Sequence, residues 1–269
     1  MSPQQVEADW YDYPQYFDLS FRDETDDEVE FFEKAFARYV DYPVRRVLET
    51  GCGGGRLVLE MARRNYDVVA FDLNEKSVSY VRRRLRRTGR SANVYVQDMT
   101  NFELEEPVDA AFCTWNTFRH LLTDESAQQH LRSVATAVNS GGIYILGLHL
   151  LPLDIDEECT ERWTAKHGGT KVTATLKVIE TRRADRIERL RINLRVRSGK
   201  RDLRIRHEFP LRMYTCQQMQ ELLASVPEWE LVDVFDFWYD VDDPLELNDE
   251  ITDTVLVLRK RREIVRRRK

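Results

Sequence analysis

The chain has 269 residues, 42% of them hydrophobic and 10% aromatic, and a formal net charge of −6; this is enough for one large domain, or one domain with a sizeable insertion, and it excludes chain-wide disorder. No apolar run approaches the ~18 residues of a membrane span, and Met1-Ser2-Pro3-Gln4-Gln5 has neither the basic nor the apolar region of a signal peptide. Cys52, Cys113, Cys159 and Cys216 form no Cys-x-x-Cys pair, so neither a zinc site nor a disulfide framework is expected; no metal is predicted, and a reducing, cytoplasmic setting fits best.

Residues 1–24 are aromatic and acidic, and Asp23 or Thr25 is placed to cap a helix through about Val40, with Val29, Phe32, Ala35, Phe36 and Tyr39 at helical spacing. From Val44 short apolar runs alternate with helical stretches. Strands are expected near 45–50, 67–72, 92–97, 108–114 and 142–149, and helices near 54–65, 75–88 and 124–138. That alternation predicts a parallel sheet with crossover helices. Ser140-Gly141-Gly142 reads as the turn before the last of these strands.

Residues 170–213 change period. Ile187, Leu190, Ile192, Leu194 and Val196 mostly alternate with Arg191, Asn193, Arg195 and Arg197, as do Leu203, Ile205, Phe209 and Leu211 with Arg204, Arg206 and Glu208, and Ser198-Gly199-Lys200 fits the turn between. Period two predicts antiparallel strands with one apolar and one arginine-rich face, the apolar face lying across the mouth of the main sheet. Lys171 to Arg212 holds fourteen Lys/Arg and five Asp/Glu. Thr215 should cap a helix over 216–225, and strands are expected over 229–239 and 251–259. The last eleven residues carry eight Lys/Arg and one Glu, which leaves the rest near −13. The expected organisation is a helical segment and nucleoside-binding core over 1–150, an antiparallel insert over 151–213, a return to the core over 214–260 and a basic tail over 261–269.

In open α/β sheets, ligands bind beyond the carboxyl ends of the strands. The first strand ends in Glu49-Thr50-Gly51-Cys52-Gly53-Gly54-Gly55, the second at Asp72-Leu73, the third at Asp98-Met99 and the fourth at Thr114-Trp115-Asn116. Asp72 is placed to accept from both hydroxyls of a ribose, Asp98 from an exocyclic amino group, and Met99 to pack on a base. A dinucleotide loop spelled Gly-x-Gly-x-x-Gly fails, because Arg56 or Val58 stands where the third glycine belongs. An acid ending the first strand suits a cationic ligand tail better than a pyrophosphate.

These motifs, from Val47 to Gly142, resemble class I S-adenosylmethionine-dependent methyltransferases: a Rossmann-like α/β sheet with helices on both faces, here with an inserted antiparallel β-sheet. The insert, Met213-Tyr214-Thr215, Tyr16-Phe17-Asp18 and Phe118-Arg119-His120-Leu121 resemble a small-molecule subgroup that contains aminosugar N,N-dimethyltransferases. The resemblance implies S-adenosyl-L-methionine as cofactor, held by Glu49, Gly51, Gly53, Arg56, Asp72, Leu73, Asp98, Met99 and Trp115. It places His120 and Tyr16 at the methyl transfer site, where Tyr11 and Tyr13 compete with Tyr16 for the same role. The basic insert and the acidic run at Asp23–Glu28 depart from the sugar enzymes, so the substrate is not carried over. The expected activity is methylation of a small molecule, more on nitrogen than on oxygen or carbon. An RNA or protein methyltransferase, an NAD-dependent oxidoreductase and a non-catalytic cofactor-binding protein are the alternatives. The expected partner is a small-molecule acceptor and no membrane; nucleic acid is disfavoured but kept open by the basic tail, and a homodimer is compatible with the sequence. His207, between Ile205 and Phe209, reads as a buried histidine, and Asp236, Trp238, Tyr239 and Asp240 as candidates to close the pocket.

Overall fold

The computed structural model describes residues 4–151 and 159–262, so most of the basic tail lies outside the described residues. The chain opens with strand β1 (Gln4–Glu7), helix α1 (Pro14–Ser20) and helix α2 (Thr25–Tyr39). Pro14 begins α1, where its missing N–H costs nothing. Neither expected cap of α2 acts through its side chain: Glu24 takes the capping position, and Thr25 is already helical with its hydroxyl unpartnered.

The core follows in alternation: β2 (Arg46–Thr50), α3 (Arg56–Arg63), β3 (Asp67–Asp72), α4 (Glu75–Thr88), β4 (Asn93–Val96), β5 (Val108–Cys113), α5 (Asp124–Ala137) and β6 (Val138–His149). The meander β7 (Thr160–His167), β8 (Thr170–Arg182), β9 (Ile187–Ser198) and β10 (Arg201–Arg212) comes next. The chain returns through α6 (Cys216–Ala224), β11 (Trp229–Phe235) and β12 (Asp253–Lys260).

The strands form two sheets. The first has the order β11-β12-β6-β5-β2-β3-β4, with β2 to β6 parallel and β12 antiparallel to both its neighbours. Connections leave β2 toward β3 and β4 on one side and return to β5 and β6 on the other. The crevice therefore opens above the carboxyl ends of β2 and β5. One face of this sheet packs against α5 and α6 through Leu131, Val134, Met219 and Leu222, the other against α2 to α4 through Phe32, Met61 and Val81.

The second sheet, the cap, has the order β1-β10-β9-β8-β7. Its apolar face, with Val172, Ile192, Leu194 and Ile205 buried, lies on Trp10, Tyr16 and Leu19. Strands β1 and β7 were not anticipated. Each is an edge strand: β1 is four residues long and β7 (TERWTAKH) is mostly exposed, so neither shows a clear alternating run. Two further expectations are corrected. Ser140-Gly141-Gly142 lies within β6, not before it: Gly141 has φ +78°, and β6 bulges between its pairings Val138–Val108 and Ile143–Ala110. The strand expected to run to 239 ends at Phe235, and Tyr239 turns the chain with φ +56°. Among the described residues no helix is long and apolar enough to cross a membrane.

Candidate active site

A cavity of about 930 Å³ lies between the carboxyl ends of the core strands and the cap, at the upper end of the range for a single small ligand. Of the residues singled out in the sequence, Glu49, Gly51, Gly53, Arg56, Asp72, Leu73, Asp98, Met99, Trp115 and His120 all line it. Tyr16 does not. Its ring is buried, stacked on Tyr13, and borders a separate cleft with Leu59 and Tyr80. The tyrosine brought to the cavity is Tyr11, whose hydroxyl lies 2.8 Å from His120 Nε2. Pro14 starts α1 between the two, and the helical turn that follows directs Tyr16 away from the cavity.

The glycine loop is shaped by steric need. Gly51 has φ +69°, and a Cβ there would clash with Thr117 Cγ2. Gly54 meets Asp18 and the Pro14 carbonyl, so the loop is roofed by the N-terminal segment. Asp72, at the end of β3, ties the loop down: Oδ2 accepts from the Gly53 N–H and Oδ1 from the Asn74 N–H, each at 2.8 Å. Burial raises its carboxyl above the ordinary range, against those two hydrogen bonds.

Beneath the loop lies a buried ionic pair that sequence reasoning missed. Glu28, on α2 and wholly buried, pairs with Arg56 at the start of α3 and accepts from Trp115 Nε1 at 3.2 Å. The Arg56 guanidinium also lies over the Trp115 ring, 5.7 Å from its centroid. The signal for Glu28 was faint: one acid at a core-facing position of an otherwise apolar helix stripe. Four buried polar atoms here have no hydrogen-bond partner among the described residues, namely Glu49 Oε2, Arg56 Nη1, Glu28 Oε1 and the Tyr239 hydroxyl, which lies beside Glu28 and Arg56. Burial pushes the Glu49 carboxyl up to about 8, with Arg56 opposing the shift and Glu28 and Asp72 adding to it. Orphaned buried charge is costly unless something completes it. A ligand carrying both an ammonium and a carboxylate would complete it.

The third strand end is held from below. His130 on α5 bridges the Met99 carbonyl (Nδ1, 2.9 Å) and the Tyr144 hydroxyl (Nε2, 2.7 Å), and Ser133 Oγ donates to the Thr100 carbonyl. Asp98 Oδ1 accepts from the Thr100 N–H and hydroxyl, both at 2.8 Å. Leu73 is 74% exposed, an apolar surface facing an open cavity.

At the end of β5, Trp115 and Asn116 both take left-handed backbone (φ +56° and +64°), a strained pair for residues other than glycine. The bend lets Asn116 Oδ1 accept from the His149 N–H at 2.8 Å and turns the chain into the 3-10 turn carrying Arg119 and His120. Arg119 is buried and reaches the cap, donating to Glu188 Oε2 (2.5 Å) and the Arg212 carbonyl (2.8 Å). His120 packs on Phe209; burial, helped by Arg119 and His207, lowers it to about 4, so the ring is neutral near pH 7. Desolvation holds the Tyr11 hydroxyl far above its ordinary value, so the phenol stays protonated, and the tautomer of His120 sets which of the two donates. His207 is half-buried against Tyr11 and Phe209, 3.4 Å from Asp9. Trp238 is 88% exposed, and none of Asp236, Trp238, Tyr239 or Asp240 lines the cavity.

Residues 47–142 match a methyltransferase domain family model. A solved S-adenosylmethionine-dependent methyltransferase from Clostridium acetobutylicum shares the fold with a TM-score of 0.76 at 14% identity, covering 94% of this chain and 99% of that one. A sugar N-methyltransferase from Streptoalloteichus gives 0.73 at 14% identity over 98% and 96%. Glycine/sarcosine N-methyltransferase of Aphanothece halophytica is 24% identical over 149 residues, 55% of each protein. The chain spans about half the length of the curated relatives it matches. At these identities the structures establish the fold, that of class I methyltransferases.

Proposed function

We infer that this chain, with a methyltransferase domain over residues 47–142, is an S-adenosylmethionine-dependent methyltransferase that acts on the nitrogen of a small molecule in a reducing, cytoplasmic setting. The observation that carries the reading is the pair of orphaned buried groups at the glycine loop, Glu49 Oε2 and Arg56 Nη1, beside a carboxylate at the end of β3. Glu49 suits the donor's ammonium and Arg56 its carboxylate. Asp72 suits the ribose, and Asp98, Met99 and Leu73 the adenine. Gly51 and Gly53 admit the chain between them, and Trp115 closes the wall over Arg56. His130 is a positioning residue for the Met99 turn. A dinucleotide's pyrophosphate would meet Glu49 instead of an anion cradle.

When bound, S-adenosylmethionine would supply a sulfonium methyl for in-line transfer to the acceptor's lone pair, with the thioether as leaving group, and Glu49, Arg56 and Asp72 would hold it. The protein's part is to orient the acceptor, exclude water and take up a proton. In the Nδ1–H tautomer of His120 the Tyr11 hydroxyl donates to Nε2, which leaves the phenol oxygen to accept an N–H of the acceptor. Transfer of that N–H proton to the phenol oxygen, as the phenolic proton passes to Nε2, then leaves the acceptor nitrogen neutral. A low histidine value keeps Nε2 available as base at neutral pH.

Supplying methyl-labelled donor and a panel of small amines and phenols tests the reading. Label should pass to amines; transfer only to phenols would replace nitrogen by oxygen as the target. The arginine-rich surface does not favour an RNA acceptor, because it lies on the face of the cap turned away from the cavity.

A further inference from the structure

The cavity continues past the glycine loop into a second lobe under the cap, walled by Trp163, Leu176, Val178, Leu190, Phe209 and Leu211. Period two does the sorting. The same strands turn their basic side chains outward, where Arg162, Lys171, Arg195, Arg197, Arg204 and Arg206 line a separate surface cleft. A cap that is basic in sequence therefore presents an apolar inner wall.

The charge that does face the cavity is negative. Among the described residues, eight carboxylates line it against two guanidiniums, Arg56 and Arg119, and no lysine; Asp18 is paired with Arg22 and Arg84, and Glu188 with Arg119. Arg119 is committed to Glu188 and the Arg212 carbonyl. Arg56 is paired with Glu28 at the glycine loop. In the second lobe Glu161 on β7 and Asp253 at the start of β12, both exposed to solvent, border the cavity, and His149 Nε2 lies 3.3 Å from Asp253 Oδ1. Partial burial, with Asp253 and Glu188 adding to it, raises the Glu161 carboxyl, as expected where carboxylates outnumber cations. An anionic acceptor would have to give up its hydration for an apolar wall and a field of its own sign. A cation gains from both.

We propose that the acceptor is an amine with an apolar body and neither phosphate nor carboxylate, drawn into the cavity as a cation by Glu161 and Asp253 and deprotonated only on reaching Tyr11 and His120. The proposal rests on the methyltransferase reading above and narrows it. It separates this chain from an acceptor such as glycine, whose carboxylate meets no uncommitted arginine or lysine among the described residues of the second lobe.

Calorimetric titration of the full chain tests it with three probes of one carbon frame: phenethylamine, phenylalanine and tyramine O-phosphate. S-adenosylhomocysteine serves as the independent probe of the donor site. Phenethylamine should bind about tenfold or more tightly than either anionic counterpart, and the double variant Glu161→Gln/Asp253→Asn should weaken it about tenfold with S-adenosylhomocysteine affinity retained. Equal or tighter binding of phenylalanine or tyramine O-phosphate overturns the proposal. So does a failure of phenethylamine to bind a protein that binds S-adenosylhomocysteine. Amine selectivity in a protein that does not bind S-adenosylhomocysteine supports the acceptor class and sinks the methyl-donor reading instead.

Discussion

Glu49 should make cofactor binding depend on pH in a defined direction. Its carboxyl sits near 8 in the free protein because burial outweighs the nearby Arg56. At pH 7 about nine-tenths of the molecules then carry a proton there, and a cationic ligand end requires the ionised form. Removing that proton at pH 7 costs about 1.4 kcal/mol, one pKa unit. Affinity for S-adenosylhomocysteine should therefore rise nearly tenfold per unit from pH 6 and level off above pH 8. Titration at pH 7 in two buffers of different ionisation enthalpy should show release of close to one proton, and Glu49→Gln should abolish that release while lowering affinity. The free protein should behave in the opposite sense. A folded value raised above the ordinary 4.5 favours folding at low pH, and that contribution is lost as pH climbs toward 8. Glu49→Gln should then stabilise the unliganded chain at pH 8 and above. Affinity flat from pH 6 to 8.5, or proton release unchanged in the variant, would refute the assignment.

Other consequences are testable separately. Glu28→Gln leaves Arg56 buried beside a neutral group; breaking such a pair costs about 3–5 kcal/mol, and at roughly 2–4 °C per kcal/mol the melting temperature should fall on the order of 10 °C, largely restored by adding Arg56→Met. Asp72→Asn should weaken S-adenosylhomocysteine by about 1–3 kcal/mol through the ribose contact, read by calorimetry; unchanged affinity would remove Asp72 from the donor site. Tyr11→Phe should lower turnover by about a hundredfold with donor affinity preserved, whereas Tyr16→Phe should leave turnover near normal. The reverse ranking would return the proton-handling role to Tyr16.

What could be read from the sequence followed from periodicity and punctuation. The parallel core announced itself because each β-branched run from Val47 to Cys113 ends at a turn or an acid, and period two exposed β9 and β10 through the Arg–aliphatic alternation. The strand ends placed Asp72, Asp98 and Trp115 at one cavity without any tertiary information. The failures share a cause. Strands β1 and β7 sit at sheet edges, where little side-chain surface is buried and the pattern carries little signal. Tyr11 and Tyr16 are five residues apart in one aromatic segment, and only the turn through Pro14 decides which faces the cavity. The bond of Glu28 to Arg56 spans 28 residues between two helices, so a lone acid on an apolar stripe gave no hint of its partner. The arginines of the cap were visible, but their direction mattered more than their number: the alternation that marked them also carried them to the outside.

The central claim is that the glycine loop recognises the charged amino acid end of a methyl donor. Competition binding of S-adenosylhomocysteine against methylthioadenosine, which keeps the nucleoside and lacks that end, tests it most directly. The account predicts one S-adenosylhomocysteine per chain and methylthioadenosine about a hundredfold weaker, a gap of about 2.7 kcal/mol. Equal affinities, or NAD binding more tightly than either, would contradict it.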